Sequence, residues 1–271
     1  MSFIEAIILG IVQGATEFIP VSSSGHLIVI PRLLGWAQDQ GLAFDAALHI
    51  GTLVALVAYF RKDLADIFIG GTRGLITRKS GGRQTGMLIG IILGSIPAAV
   101  VGLLIMETAE TTFRNPYLIA STLSGVAIVM LVADSTGKKK RSIDDIKLSD
   151  WLIIGVAQSI ALVPGVSRSG ITISAGLFRN LERDVAARAS FLLSAPAVLG
   201  AAVLTVGSLV KAGFPQDQLA FFIVGIVTAA VVGYICIGFL ISYLKRYSVR
   251  LFVYYRFGLA ALIVYTMLYV R

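Results

Sequence analysis

The sequence predicts an all-α polytopic membrane protein, with six transmembrane helices and two re-entrant helix–loop–helix hairpins in an inverted repeat, forming a single domain over 1–271. Three observations lead there. The 271 residues are 56% hydrophobic and only 14% charged, with mean hydropathy +0.86, whereas a soluble domain carries about 25% charged residues. Two apolar regions are interrupted by polar, proline-containing stretches, "PVSSSGH" and "PGVSRSG". Lysine and arginine gather in a few short loops, as cytoplasmic loops require. The net charge of +8 would suggest nucleic acid in a soluble chain. Here the loop pattern accounts for it, and no nucleic-acid partner is expected. Cys236 is alone and lies in an apolar run, which excludes a disulfide framework and a cysteine metal cluster. The start "MSFIEAIILG" has no basic n-region and carries Glu5, so no signal peptide is expected.

Six apolar segments, near 44–60, 85–106, 117–134, 189–210, 219–244 and 251–270, match the roughly 30 Å hydrocarbon thickness. In the interrupted regions, 2–35 and 150–179, the second arm is about ten residues, too short to span. Loop charge decides how these regions run. With both re-entrant and 61–84 cytoplasmic, the basic residues of 61–84, 135–150, 179–188 and 245–250 all lie inside. Making each region span once exchanges Arg179, Arg183, Arg188, Lys245, Arg246 and Arg250 for Lys211 alone. The positive-inside rule therefore favours the re-entrant arrangement.

The halves, about 1–134 and 150–271, resemble each other. "QGATEFIPVSSSG" (13–25) lies over "QSIALVPGVSRSG" (158–170) at a constant offset of 145 residues, and Gly10 falls on Gly155. A hairpin returns to its starting face and three spans follow it, so the second half begins on the opposite side. Such inverted repeats bring broken helices together near the midplane.

Candidate site residues cluster in the two breaks. Gln13 and Glu17 are four apart and share a helix face. A carboxylate at membrane depth costs at least about 2.5–3.5 kcal/mol and usually faces a partner or a wet cavity. Ser23 and His26 are three apart, where a hydroxyl and an imidazole can converge as nucleophile and base. Ser22 and Ser24 are expected to cap the short helix that follows. His49, four residues after Asp45, is expected to be structural. In the second break, Arg168 presents a planar fork of donors suited to phosphate oxygens. Ser167, Ser169 and Gly170 open a helix whose free amides favour an anion, and Thr172 adds a hydroxyl. An acid–base loop facing an anion clamp suits phosphoryl transfer.

With these residues in view, the chain resembles the undecaprenyl-pyrophosphate phosphatase family, the bacitracin-resistance type of integral membrane phosphatase. The resemblance covers essentially the full length. It rests on "QGATEFIPVSSSGHL" (13–27) and "PGVSRSGIT" (164–172), supported by "FDAALHIGTLVA" (44–55) and "SFLLSAPAVLGA" (190–201). It implies hydrolysis of undecaprenyl diphosphate to undecaprenyl phosphate and inorganic phosphate, recycling the lipid carrier of peptidoglycan synthesis. It also implies a divalent cation, magnesium or calcium, and a site open to the outer face of the bacterial cytoplasmic membrane. Carried over by position, Glu17 binds the metal or orients the catalytic group, Ser23 and His26 supply nucleophile and base, and Arg168 holds the diphosphate. Gln13 stands where many members carry Glu, which weakens any scheme with two carboxylates on the metal. Whether Ser23, His26 or a metal-bound water attacks is left open, as is oligomeric state, a homodimer being one expectation.

"SSSGH" also resembles the "PSGH" of acid-phosphatase-like lipid phosphatases. Their later histidine position is Ser174 here and no histidine follows His49, so that reading fails. The remaining rival is a transporter or flippase of a phosphorylated polyprenyl lipid, which would use the Arg168 clamp but needs no nucleophile–base pair.

Overall fold

The computed structural model describes residues 1–36, 42–77, 82–111, 115–212 and 218–269. Arg78, Lys79 and Arg114 of the loop-charge pattern lie outside the described residues. The described chain is all helical: α1 (Phe3–Phe18), α2 (Ser23–Leu33), α3 (Leu42–Tyr59), α4 (Arg61–Ile76), α5 (Arg83–Thr111), α6 (Pro116–Thr136), α7 (Leu148–Ile160), α8 (Arg168–Phe178), α9 (Arg183–Ala212), α10 (Leu219–Leu244) and α11 (Arg250–Tyr269). The only pairing of strand type among the described residues is one isolated bridge, Arg141 with Leu181.

Local chemistry sets the helix starts. Ser2 and Glu5 form a reciprocal capping box, so Glu5 is the N3 residue of α1. The Asn115 side chain accepts from the Tyr117 amide at 2.9 Å, with Pro116 at the first helical position, where a missing N–H costs nothing.

Among the described residues, five helices are long and apolar enough to cross a membrane: Arg83–Leu104, Pro116–Thr136, Arg183–Leu204, Leu219–Leu244 and Arg250–Tyr269. The chain is thus an integral membrane protein. The sixth expected span, near 44–60, is α3; it bends by 72° into α4, and the two count as one span only if taken together. The segment read as a basic loop, 61–84, is therefore helical as far as Ile76. Leu64, Ile67 and Gly71 recur at helical spacing, and Ile67 and Gly71 are buried, Gly71 against Leu88 and Gln84 of α5. Of the basic residues that suggested a loop, Arg61, Lys62 and Arg73 lie on the exposed side of this helix and Arg83 opens α5.

Both interrupted regions are broken helices, and their boundaries repeat at the sequence offset of 145. α1 starts at Phe3 and α7 at Leu148; α2 covers Ser23–Leu33 and α8 covers Arg168–Phe178. Pro20 and Pro164 stand in the breaks, where a helix cannot continue without losing a hydrogen bond. Ser22 (φ 78°) and Ser167 (φ 68°), again 145 apart, both adopt the left-handed region just before the second helix. α1 packs on α10 and α7 on α5. Glycines allow both approaches: a Cβ on Gly10 would lie 2.7 Å from the Gly225 carbonyl oxygen, and one on Gly155 would overlap that of Gly94.

Buried Asp150 anchors one end of the assembly. Its carboxylate accepts from Arg141 at 2.6 Å and Arg179 at 2.7 Å, tying the 137–147 connection to the end of α8.

Gly155→Ala is expected to lower stability by about 1–3 kcal/mol, because α5 and α7 must separate to admit the methyl group. Thermal unfolding in detergent reads this directly, with Gly258→Ala, which meets open space, as the neutral control.

Candidate active site

The two breaks face each other, and their own polar groups hold them together. Ser22 Oγ accepts from the Gly25 amide at 3.3 Å, and Ser167 Oγ accepts from the Gly170 amide at 3.2 Å. Ser22 therefore caps as expected. Ser24 does not; its hydroxyl accepts from the Gly165 amide at 3.2 Å, linking one loop to the other. Ser169 donates to the Ile19 carbonyl at 3.4 Å, a second link. The fully buried Arg256 of α11 completes the junction. It donates to the carbonyls of Pro20, Gly165, Val166, Thr122 and Leu123, so one guanidinium touches both breaks and α6.

Glu17 is the centre of the site. It is 8% exposed, and each carboxylate oxygen is engaged. Oε1 accepts from Arg168 Nη2 at 2.9 Å. Oε2 accepts from Ser23 Oγ at 2.8 Å and from Gln13 Nε2 at 3.1 Å. His49 Nε2 lies 3.7 Å from the same Oε2. Its Nδ1 is 3.0 Å from the Asp45 carbonyl, which places the proton there and turns Nε2 towards Glu17. Arg168 Nη1 is buried and has no hydrogen-bond partner.

Of the residues singled out in the sequence, Gln13, Glu17, Ser23 and Arg168 converge. Ser167, Ser169 and Gly170 build the loop that presents Arg168. Thr172 is turned away: fully buried, it donates to the Arg168 carbonyl at 2.6 Å and pairs with Ser190 at 2.6 Å. His26 is adjacent but bonded elsewhere. Its Nδ1 is 2.7 Å from the Ser22 carbonyl and its Nε2 is 2.7 Å from the Tyr255 hydroxyl. The expected partner for the Ser23 hydroxyl was His26; the group hydrogen-bonded to it is Glu17.

Three residues were not assigned to the site from sequence. His49 was read as structural because no polar cluster surrounds it in the chain, yet α3 carries it to Glu17. Arg256 had a readable signal: an arginine inside an apolar span is as costly there as Arg168 is in its loop. Tyr255 had none, since tyrosine is common in membrane helices.

The arrangement offers a hydroxyl hydrogen-bonded to a carboxylate, beside a guanidinium with an unused donor. A hydroxyl so placed can lose its proton while attacking phosphorus, and the guanidinium can hold phosphoryl oxygens. The expected divalent cation fits less well. Among the described residues, no three His, Cys, Asp or Glu side chains converge as a metal site. Glu17 is the one carboxylate, it already accepts from Arg168, Ser23 and Gln13, and position 13 brings an amide. These side chains do not make a resident metal centre.

Comparison with known proteins gives the family. The family model described as "Bacitracin resistance protein BacA" matches residues 6–262. An "Undecaprenyl-diphosphatase" of Moorella thermoacetica is 48% identical over 264 residues, 97% of each chain. Those of Geobacter metallireducens and Thermodesulfovibrio yellowstonii are 47% and 46% identical, over 94% and 96% of this chain and 95% of each relative. The matched span includes both breaks and every residue that meets at Glu17, and the chain belongs to the bacitracin resistance protein BacA family.

Proposed function

We propose that this chain hydrolyses undecaprenyl diphosphate to undecaprenyl phosphate and inorganic phosphate, recycling the lipid carrier of peptidoglycan synthesis. The observation that carries the reading is Glu17, with Ser23 on one carboxylate oxygen and Arg168 on the other. The names of the relatives support it; transport of an intact lipid would need no such hydroxyl–carboxylate pair.

The Arg168 guanidinium binds the terminal phosphoryl oxygens, and its unpartnered Nη1 gains an acceptor, recovering the roughly 1–3 kcal/mol that a buried orphan donor costs. Ser23 Oγ attacks the terminal phosphorus as its proton passes to Glu17 Oε2. The bond to the bridging oxygen breaks and undecaprenyl phosphate leaves with the electron pair. The proton then moves on from Glu17, for which His49 Nε2 is the adjacent acceptor. Water attacks the phosphoserine, Glu17 takes a proton from it, and Ser23 regains a proton as inorganic phosphate departs. A magnesium or calcium ion would supply charge neutralisation of the diphosphate, as in other phosphoryl transfers.

The two broken helices form re-entrant hairpins of an inverted repeat in the bacterial cytoplasmic membrane, and the site opens to the outer face. The matching boundaries of α2 and α8 and the grouping of basic residues support this placement.

Phosphate release from a long polyprenyl diphosphate is the test. Glu17→Gln and Ser23→Ala should each lose about 10²–10⁴-fold in kcat. Arg168→Lys should lose about 10²-fold or more, because the ammonium lacks the fork. His49→Ala should lose less than either, about tenfold. Wild-type rates in both Ser23→Ala and Glu17→Gln would overturn the assignment. A chelator should stop release, and magnesium or calcium should restore it. Cysteines placed in 137–147 should label from the cytoplasmic side only; labelling from outside would overturn the topology.

A further inference from the structure

We propose that Tyr255 is a positioning residue for His26, donating its hydroxyl to Nε2 and so fixing the ring whose Nδ1–H the Ser22 carbonyl holds. This rests on the hydrolytic reading above. The ring of His26 is held at both ends. Nδ1 lies 2.7 Å from the Ser22 carbonyl, an acceptor only, so this nitrogen carries the proton. In the neutral ring, Nε2 then has a lone pair in the ring plane. The Tyr255 hydroxyl is 2.7 Å from it, and the two rings are parallel to within 12°. A phenol O–H lies in its own ring plane, so near-parallel rings let it point along that lone pair.

The placement of Tyr255 is itself enforced. Its neighbour Arg256 donates to carbonyls in both breaks, which sets the register of α11 against the loop that carries His26. His26 is 5% exposed and Tyr255 about half exposed, so the tyrosine closes the open side of the imidazole. Because Ser23 is bonded to Glu17, His26 does not serve as the base for that hydroxyl. Both of its ring nitrogens are engaged, so its role is to hold the turn at Ser22 that presents Ser23, and Tyr255 fixes the ring.

The test compares Tyr255→Phe, His26→Gln and the double variant for phosphate release, with Tyr254→Phe, on the exposed side of the same helix, as control. Tyr255→Phe should lower kcat about tenfold, within the range of a single acid–base positioning effect, and leave KM unchanged. In the His26→Gln background it should cost nothing further, since residues acting through one another are not additive. Nitrogen-15 spectra of histidine-labelled protein, with His49→Gln to assign the signals, should show His26 protonated at Nδ1 in both proteins, with the Nε2 signal moved downfield in Tyr255→Phe as its hydrogen bond is lost. Multiplying losses in the double variant, or an unmoved Nε2 signal in Tyr255→Phe, would overturn the proposal. The spectra need no turnover, so a moved Nε2 signal in a protein whose wild type releases no phosphate would overturn the hydrolytic reading instead.

Discussion

A helix broken inside an apolar bundle leaves amides and carbonyls with no partner, and no water is at hand to take them. This chain breaks two helices in the same place, and much of its central architecture meets that demand. Ser22 and Ser167 take the amides that start α2 and α8. Ser24 takes the Gly165 amide, and Thr122 donates to the Pro164 carbonyl at 2.7 Å. Arg256 takes carbonyls from both breaks at once. A lysine would carry the charge but lacks the planar set of donors that reaches several carbonyls from a fixed position. The junction is therefore rigid for the same reason that it is polar.

That rigidity places the chemistry. Glu17 is the last turn of α1 and Arg168 the first residue of α8, so their 2.9 Å pairing spans the two breaks. The carboxylate is held by donors from α1, α2 and α8, with His49 of α3 beside it. Breaking a buried pair from one side leaves an uncompensated charge, a cost of about 3–5 kcal/mol. Glu17 and Arg168 thus keep each other in position.

The offset of 145 relates the frameworks of the two breaks but not their polar groups. The capping serines and the crossing glycines coincide between the halves. The chemical positions do not: Glu17 falls on Leu162, Ser23 on Arg168 and His26 on Ile171. One break supplies Glu17 and Ser23 and the other Arg168, so the cluster at Glu17 needs both halves.

Composition, loop charge and the two polar interruptions were enough to read an all-helical membrane protein, five of its spans and both breaks, and to single out Gln13, Glu17, Ser23 and Arg168, which the fold brings together. Those features announce themselves locally, because a polar or charged group in an apolar run is costly wherever the chain goes. Pairing is not local. Ser23 stands three residues from His26 and six from Glu17, yet the break turns its hydroxyl to the carboxylate. Thr172 shares the motif of Arg168 but buries its hydroxyl against Ser190. His49 and Tyr255 look ordinary in sequence and reach the site only because α3 and α11 pack beside it. The sequence by itself determined which groups must find partners in the membrane; the tertiary structure decided which partners they found, since helices distant in the chain supply them.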